Sequence, residues 1–223
     1  MKKTAVITGA SRGIGHALSR KLLSMNYHVI GTSRQGVIDS ISHESFEALP
    51  LNLPEVESMK QFVDTIASKN SKVDLLINNA GIGPDLNYEL PEKGSFDITF
   101  DVNVKGQVLF TEMMLPMMKA GGRILNVSSK MGSIDYLEMS CSPSYRMSKS
   151  ALNMYTKILA NRLKGRIEVA AIHPGWVKTT ISGNGESGRL TPEESAESIC
   201  DYLENKFENG GFWDAERNVK LVW

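Results

Sequence analysis

The sequence predicts an α/β fold, an open parallel sheet with helices on both of its faces. Three observations carry that reading. Short continuous apolar runs such as Val73-Asp74-Leu75-Leu76-Ile77 have the character of strands covered on both sides. Other segments repeat their apolar residues with a period of 3.6, as Val56, Met59, Phe62, Val63 and Ile66 do, and these are helical. The two kinds of segment alternate along the chain, with no internal repeat and no linker-like stretch to separate a second domain.

Taken in order, residues 4–8 form a short apolar strand. Residues 13–25 read as a helix with Ile14, Ala17, Leu18 and Leu22 on one face. A strand follows at 27–32, a helix at 54–67 and a strand at 73–78. A long helix is expected over 95–119, bent near its end by Pro116. Residues 123–128 are a strand, 143–163 a helix opened by Ser142 as N-cap and Pro143 as first helical residue, and 167–172 a strand. A helix at 192–203 and a short strand at 219–222 complete the pattern. In such sheets ligands bind beyond the carboxyl ends of the strands, near the switch in strand order.

The chain has 223 residues, 41% hydrophobic and 22% charged, and is expected to fold as one domain spanning 1–223. A chain of this length buries roughly 70–75% of the surface exposed when unfolded, so no disulfide or metal staple is required. Lys and Arg number 25 against 25 Asp and Glu, which lacks the basic excess of a nucleic-acid binder. Cys141 and Cys200 read as reduced thiols, and His16, His28, His43 and His173 have no metal-ligand spacing. The apolar run after Met1-Lys2-Lys3 stops at Thr8-Gly9, too short for a signal peptide. No stretch reaches the length of a membrane span. A cytoplasmic protein is the expectation. The eleven methionines include Met113, Met114, Met117 and Met118, read as core filling.

The first strand runs into Thr8-Gly9-Ala10-Ser11-Arg12-Gly13-Ile14-Gly15. Gly9 permits a sharp turn, Gly13 a close approach of backbone to phosphate, and Gly15 tight packing of helix on sheet. The helix N-terminus then offers free N–H groups to a pyrophosphate. Gly15-His16 lacks the Lys-Ser/Thr ending of a Walker loop.

Four further motifs follow in order: Asn78-Asn79-Ala80-Gly81, Asn103 within Val102-Asn103-Val104-Lys105-Gly106, Tyr145-Arg146-Met147-Ser148-Lys149, and Pro174-Gly175-Trp176-Val177-Lys178-Thr179. Together they resemble the short-chain dehydrogenase/reductase superfamily over nearly the whole chain. The runs at 128–134 and 145–153 look most like its C-factor (C-signal) and sniffer-type carbonyl reductase branch. The resemblance implies a doubly wound Rossmann-type sheet and a nicotinamide cofactor bound by Gly9, Ser11, Arg12, Gly13, Ile14 and Gly15. It further implies adenine near Asn52 and Leu53, with Asn52 where the superfamily commonly has Asp. Asn79, Ala80 and Gly81 would line the nicotinamide-side ribose, and Pro174, Gly175, Val177 and Thr179 would hold the carboxamide.

Ser33 occupies the position where an NAD-preferring chain carries an acid, and Arg34 follows it. Two guanidiniums, Arg12 and Arg34, with no opposing carboxylate favour a phosphorylated ribose, so NADP(H) is expected ahead of NAD(H).

Tyr145 and Lys149 stand four residues apart on one helix face, their Cβ atoms ~5–6 Å apart. A close ammonium would lower the phenol's pKa from its ordinary value near 10, with a further contribution from the helix N-terminus. The resemblance adds Ser129 as the group binding the carbonyl oxygen, Lys149 on the ribose hydroxyls, and Asn103 positioning a water that links Lys149 to solvent. Ser129 lies sixteen residues before Tyr145, and Ser128 is an adjacent competitor. The intervening residues 135–142 are expected to wall the substrate pocket, and 180–190, with Gly183, Gly185 and Gly188, to form a lid. Trp176 either roofs the pocket or packs beneath it.

These readings lead to an oxidoreductase transferring hydride between NADP(H) and a small-molecule carbonyl or alcohol. The alternative is a dinucleotide-binding signalling or sensing protein. The sequence leaves open a homodimer or homotetramer.

Overall fold

The structure, a computed structural model, describes residues 2–69, 72–137, 139–182 and 187–223. Its elements are β1 (Thr4–Ile7), α1 (Gly13–Ser24), β2 (His28–Ser33), β3 (Phe46–Pro50), α2 (Val56–Ser68), β4 (Val73–Asn78), α3 (Lys93–Phe100), α4 (Gln107–Met114), β5 (Met118–Val127), α5 (Pro143–Arg162), β6 (Ile167–His173), α6 (Pro192–Asn205), β7 (Phe212–Asp214) and β8 (Val219–Lys220). The strands form one sheet in the order β3-β2-β1-β4-β5-β6-β7-β8. Every neighbouring pair is parallel except β7 with β8. This is the doubly wound α/β sheet the sequence predicts, with the reversal of strand order between β1 and β4.

Strand alternation divides the core into two slabs. Ile7, Ile77, Leu125 and Ile172 face α1 and α6, meeting Leu18, Leu22 and Ile199. Their strand neighbours Val6, Leu76, Ile124 and Val169 face the other way, onto Phe62, Ile66, Phe110, Met114 and Leu159. Burying each such side chain is worth about 1.5–3 kcal/mol. One polar ladder crosses the second slab. Asn78 Nδ2 donates to Thr111 Oγ1 and Asn126 Oδ1, both at 2.8 Å, and Asn126 Nδ2 donates to Thr156 Oγ1 at 2.8 Å. It ties α4, β4, β5 and α5 together just below the carboxyl ends of the strands, and so fixes the platform of the site.

Two boundaries differ from expectation. The helix expected over 95–119 begins at Lys93, passes through a turn of π-helix at Asp101–Gly106, and ends at Met114. Leu115–Met117 is a single 3₁₀ turn containing Pro116, which has no N–H to continue the ladder. Met118 then opens β5 opposite Val73, and after a bulge pairing resumes at Leu75 with Arg123. Met114 and Met118 are core residues, with Met113 and Met117 packed against them. β7 is only three residues long, too short for a period to show. Among the described residues, no helix is long and apolar enough to cross a membrane.

Candidate active site

At the carboxyl end of β1 the chain turns with Gly9 at φ +68° and Gly13 at φ +56°, values that favour glycine. Gly15 is required for space. A Cβ there would lie 2.3 Å from Gly9 O and 2.5 Å from Asn79 Nδ2. Asn79 fastens this turn to the end of β4, donating to Thr8 O (2.9 Å) and Gly9 O (3.2 Å). The Thr8 hydroxyl accepts from Asn79 N and Ala80 N in return. α1 has no side-chain cap and no acid in its first turn, so its N-terminal dipole is uncompensated. The cradle therefore suits an anion such as a pyrophosphate.

Arg12 and Arg34 are exposed, and their side chains make no hydrogen bond or ion pair with any described residue. Both line the same cavity, about 1630 Å³, that runs from the cradle across the strand ends. Ser33 is tied into the turn after β2, donating to and accepting from Val37. Asn52 spends its Nδ2 on Glu55 at 2.7 Å, which leaves its Oδ1 as an acceptor on the cavity wall. Leu53, Ala80, Gly81, Pro174, Gly175, Val177 and Thr179 line the cavity as well.

The cavity continues to Ser129, Tyr145 and Lys149, all buried. The adjacent serines Ser128 and Ser129 both line the cavity and differ in their partners. Ser128 Oγ donates to Asn153 Oδ1 at 2.6 Å inside the protein, whereas Ser129 Oγ accepts from Met131 N at 3.2 Å and acts on the Tyr145 phenol. Lys149 Nζ donates to Val127 O at 2.9 Å and lies 5.6 Å from the centre of the Tyr145 ring. Burial pushes the Tyr145 phenol up to about 12, against a smaller opposing effect of Ser129. Burial also pushes Lys149 down to about 8. The sequence expectation of a phenol made more acidic by Lys149 is thus reversed: the ammonium is held on a backbone carbonyl, and desolvation of the enclosed ring dominates.

Asn103 sits in the π-turn between α3 and α4. Its Nδ2 donates to Ile82 O (2.8 Å) and Ser148 Oγ (3.1 Å), and its Oδ1 accepts from Ile82 N (2.9 Å). Both amide hydrogens are engaged, so the side chain's first task is to hold the segment after β4 against α5. A Cβ on Gly81 would meet Asn103 Oδ1 at 3.3 Å and Lys149 Nζ at 3.5 Å, so these two side chains flank one glycine.

The N-cap of α5 corrects another expectation. Ser142 has φ 64° and makes no side-chain cap. Its hydroxyl donates to Leu86 O and its N–H to Tyr88 O, both at 2.7 Å. The free N–H groups of Ser144 and Tyr145 go instead to the carboxylate of Asp85, at 2.6 and 3.2 Å. Asp85 is fully buried and lies sixty residues upstream in sequence, so no local capping pattern could reveal it.

Of the expected pocket wall, Tyr136, Met139, Cys141 and Ser142 line the cavity, and Glu138 lies outside the described residues. Trp176 also lines the cavity, half-exposed, with Arg189 stacked over its ring at 5.2 Å. Leu190, where the expected lid ends, bridges to Val177, which lies ahead of the lid. Residues 183–186, with Gly183 and Gly185, lie outside the described residues.

A glycine cradle and a Ser–Tyr–Lys cluster on one cavity define the class, an α/β protein built to bind a nucleotide. The chain belongs to the short chain dehydrogenase family, whose model matches residues 3–189. It is 33% identical over 203 residues to the L-xylo-3-hexulose reductase of Hypocrea jecorina, covering 78% of this chain and 66% of that protein. The carbonyl reductase Sniffer of D. melanogaster superposes over 100% of both chains with a TM-score of 0.89 and 27% identity. An NADPH-bound carbonyl reductase from chicken fatty liver gives a TM-score of 0.89 at 29% identity, over 100% of this chain and 99% of that one.

Proposed function

We propose that this chain is an NADP(H)-dependent reductase of aldehydes or ketones, running as an alcohol dehydrogenase in reverse. One observation carries the reading: Ser129 and Tyr145, with Lys149 beside the ring, line the same cavity as the glycine cradle and the unpaired side chains of Arg12 and Arg34. The backbone of 9–15, with Ser11, would hold the pyrophosphate, and Arg12, Ser33 and Arg34 the 2′-phosphate. Asn52 and Leu53 would seat the adenine, Asn79 to Gly81 with Lys149 the second ribose, and Pro174, Gly175, Val177 and Thr179 the carboxamide. When bound, NADPH supplies the hydride that reaches the carbonyl carbon.

This chain's own residues do the rest. Ser129 donates a hydrogen bond to the substrate oxygen and sets its orientation beside Tyr145. Tyr145, held protonated by burial throughout the neutral range, gives its hydroxyl proton to that oxygen as negative charge develops there. Lys149 stays cationic at neutral pH, stabilises the phenolate left behind and passes on the replacement proton. Asn103 keeps the Ile82 segment closed against Ser148, which seals this end of the cavity.

The test is NADPH oxidation against a panel of aryl and alkyl aldehydes and ketones, with nucleotide binding followed by calorimetry. Wild type is expected to turn over members of the panel. Tyr145→Phe should lose about 10²–10⁴-fold in rate while still binding NADPH. NADPH binding by wild type with no turnover of any carbonyl would leave a sensing role and overturn the reductase reading.

A further inference from the structure

The cavity beyond Ser129 and Tyr145 has two chemically different walls. Toward α3 and the chain leading into α5 the lining is largely apolar, with Leu86, Ile98, Val102, Tyr136 and Met139 beside Arg146. Ile98, Tyr136 and Met139 are 50%, 42% and 61% exposed, apolar surface that a substrate would cover. On the side of β7 the wall is cationic. Lys130 follows Ser129 directly, and Arg217 lies in the turn between β7 and β8.

The charges of this second wall do not cancel. Asp214 is the one acidic side chain among the described lining residues, and its Oδ1 accepts from the N–H groups of Glu216 and Arg217, both at 3.0 Å. Arg189 is already neutralised by Glu216 through two hydrogen bonds, at 2.5 and 3.0 Å. Arg146 spends its Nε on Cys141 O. Lys130 and Arg217 have no hydrogen-bond or ion-pair partner on their side chains among the described residues. They also lie close to each other's neighbours. The Lys130 charge acts on His173, His173 is in register with Asp214, and Asp214 holds the backbone of Arg217.

Arg12 and Arg34 serve the far end of the cavity, and Lys149 the acid–base centre. Among the described residues, Arg146 and Lys178 also line the cavity without a carboxylate partner; Lys130 and Arg217 are the two linked through His173 and Asp214, and no described side chain pairs them. A half-buried ammonium and a guanidinium facing one cavity are a site for a carboxylate or phosphate.

Building on the reductase reading, we infer that the substrate is an amphiphilic oxo acid, its apolar body against Ile98, Tyr136 and Met139 and its anionic group between Lys130 and Arg217. The carbonyl then lies between the two, at Ser129 and Tyr145. Its carbon gains the hydride and its oxygen the Tyr145 proton, giving a hydroxy acid, while the anionic group takes no part in the bond changes.

The experiment uses a matched pair, 4-oxo-4-phenylbutanoate and its methyl ester, with levulinate as an acid lacking the aryl body. Wild type should favour the acid over its ester by at least tenfold in kcat/KM, and over levulinate by a similar factor. In the K130Q/R217Q double variant, the loss on the acid should exceed the loss on the ester by about tenfold or more. Calorimetric titration of the acid and the ester into Tyr145→Phe enzyme gives a readout independent of turnover, and the acid should bind more tightly. Equal kcat/KM and equal binding for acid and ester, or equal losses on both in the double variant, overturn the inference. Tight binding of the acid with no turnover by wild type would preserve the anion site and reject the reductase reading instead.

Discussion

Tyr145 and Lys149 sit on one face of α5, but enclosure, rather than their proximity, sets their ionisation. Tyr145 is driven up to about 12 and Lys149 down to about 8, in both cases chiefly by desolvation. A phenol so protonated is a loaded proton donor, which favours the reductive direction. Lys149 is cationic below about pH 8 and loses its proton as the pH rises through that value. The pH profile of kcat/KM for carbonyl reduction should therefore fall above about pH 8, since that ratio reports the free enzyme. A profile flat to pH 10 would remove Lys149 from the proton path. His173, at the end of β6, adds a second pH dependence. It is buried, neither ring nitrogen has a hydrogen-bond partner among the described residues, and burial pushes it down to about 4 despite Asp214 and Glu216 nearby, with Lys130 and Arg189 also lowering it. A pKa below that of the unfolded chain means the unfolded state takes up the proton first. The stability this histidine contributes is complete above about pH 6.5 and is lost as the pH falls towards 4. Denaturant unfolding at pH 7.5 and 4.5 should show a loss on the order of 3 kcal/mol in wild type that is absent in His173→Gln.

At the scale of elements, the active site depends on how α5 is started. Asp85 accepts the N–H groups of Ser144 and Tyr145, while Ser142 holds Leu86 and Tyr88. The segment after β4 is thereby clamped to the first turn of the helix that carries Tyr145. Asp85→Ala leaves two buried N–H groups without an acceptor and should cost about 1–3 kcal/mol in stability. Because the clamp also orients Tyr145, kcat should fall more than KM changes. Asp85→Asn, which keeps one acceptor oxygen, should recover part of both losses. Thermal melts and steady-state kinetics of the two variants check this, and identical behaviour of Ala and Asn would refute the capping role. The polar ladder Thr111–Asn78–Asn126–Thr156 plays the corresponding part beneath the site, holding α4 and α5 in fixed relation to the central strands.

Across the whole molecule, the cavity spans the carboxyl ends of the strands, from Arg34 after β2 to Arg217 after β7. Its two extremities are basic although the chain as a whole carries no net charge. At the β2 end, no carboxylate stands where Ser33 does, and Arg12 and Arg34 converge on one region. The double variant Arg12→Ala/Arg34→Ala should raise the KM for NADPH by roughly 10–100-fold while changing the KM for NADH little, because a charge-assisted guanidinium–phosphate contact is worth on the order of 1.5–3 kcal/mol. Equal effects on the two coenzymes would show that these arginines do not read the 2′-phosphate.

The features legible in the sequence are those whose physics is local. Gly9, Gly13 and Gly15 are read from their spacing, because backbone conformation and helix–strand packing act within a few residues. Tyr145 and Lys149 are read from their spacing of four on a helix. The alternation of apolar runs is enough for the α/β class. What tertiary structure alone decided involves residues far apart in the chain. Ser128 is bonded to Asn153 on α5, Asp85 caps a helix sixty residues away, and β5 begins at Met118 because Val73 is there to pair with it. The ionisation of Tyr145 belongs to the same class. Its desolvation is imposed by elements folded over it from several parts of the chain, and no spacing within one helix records that.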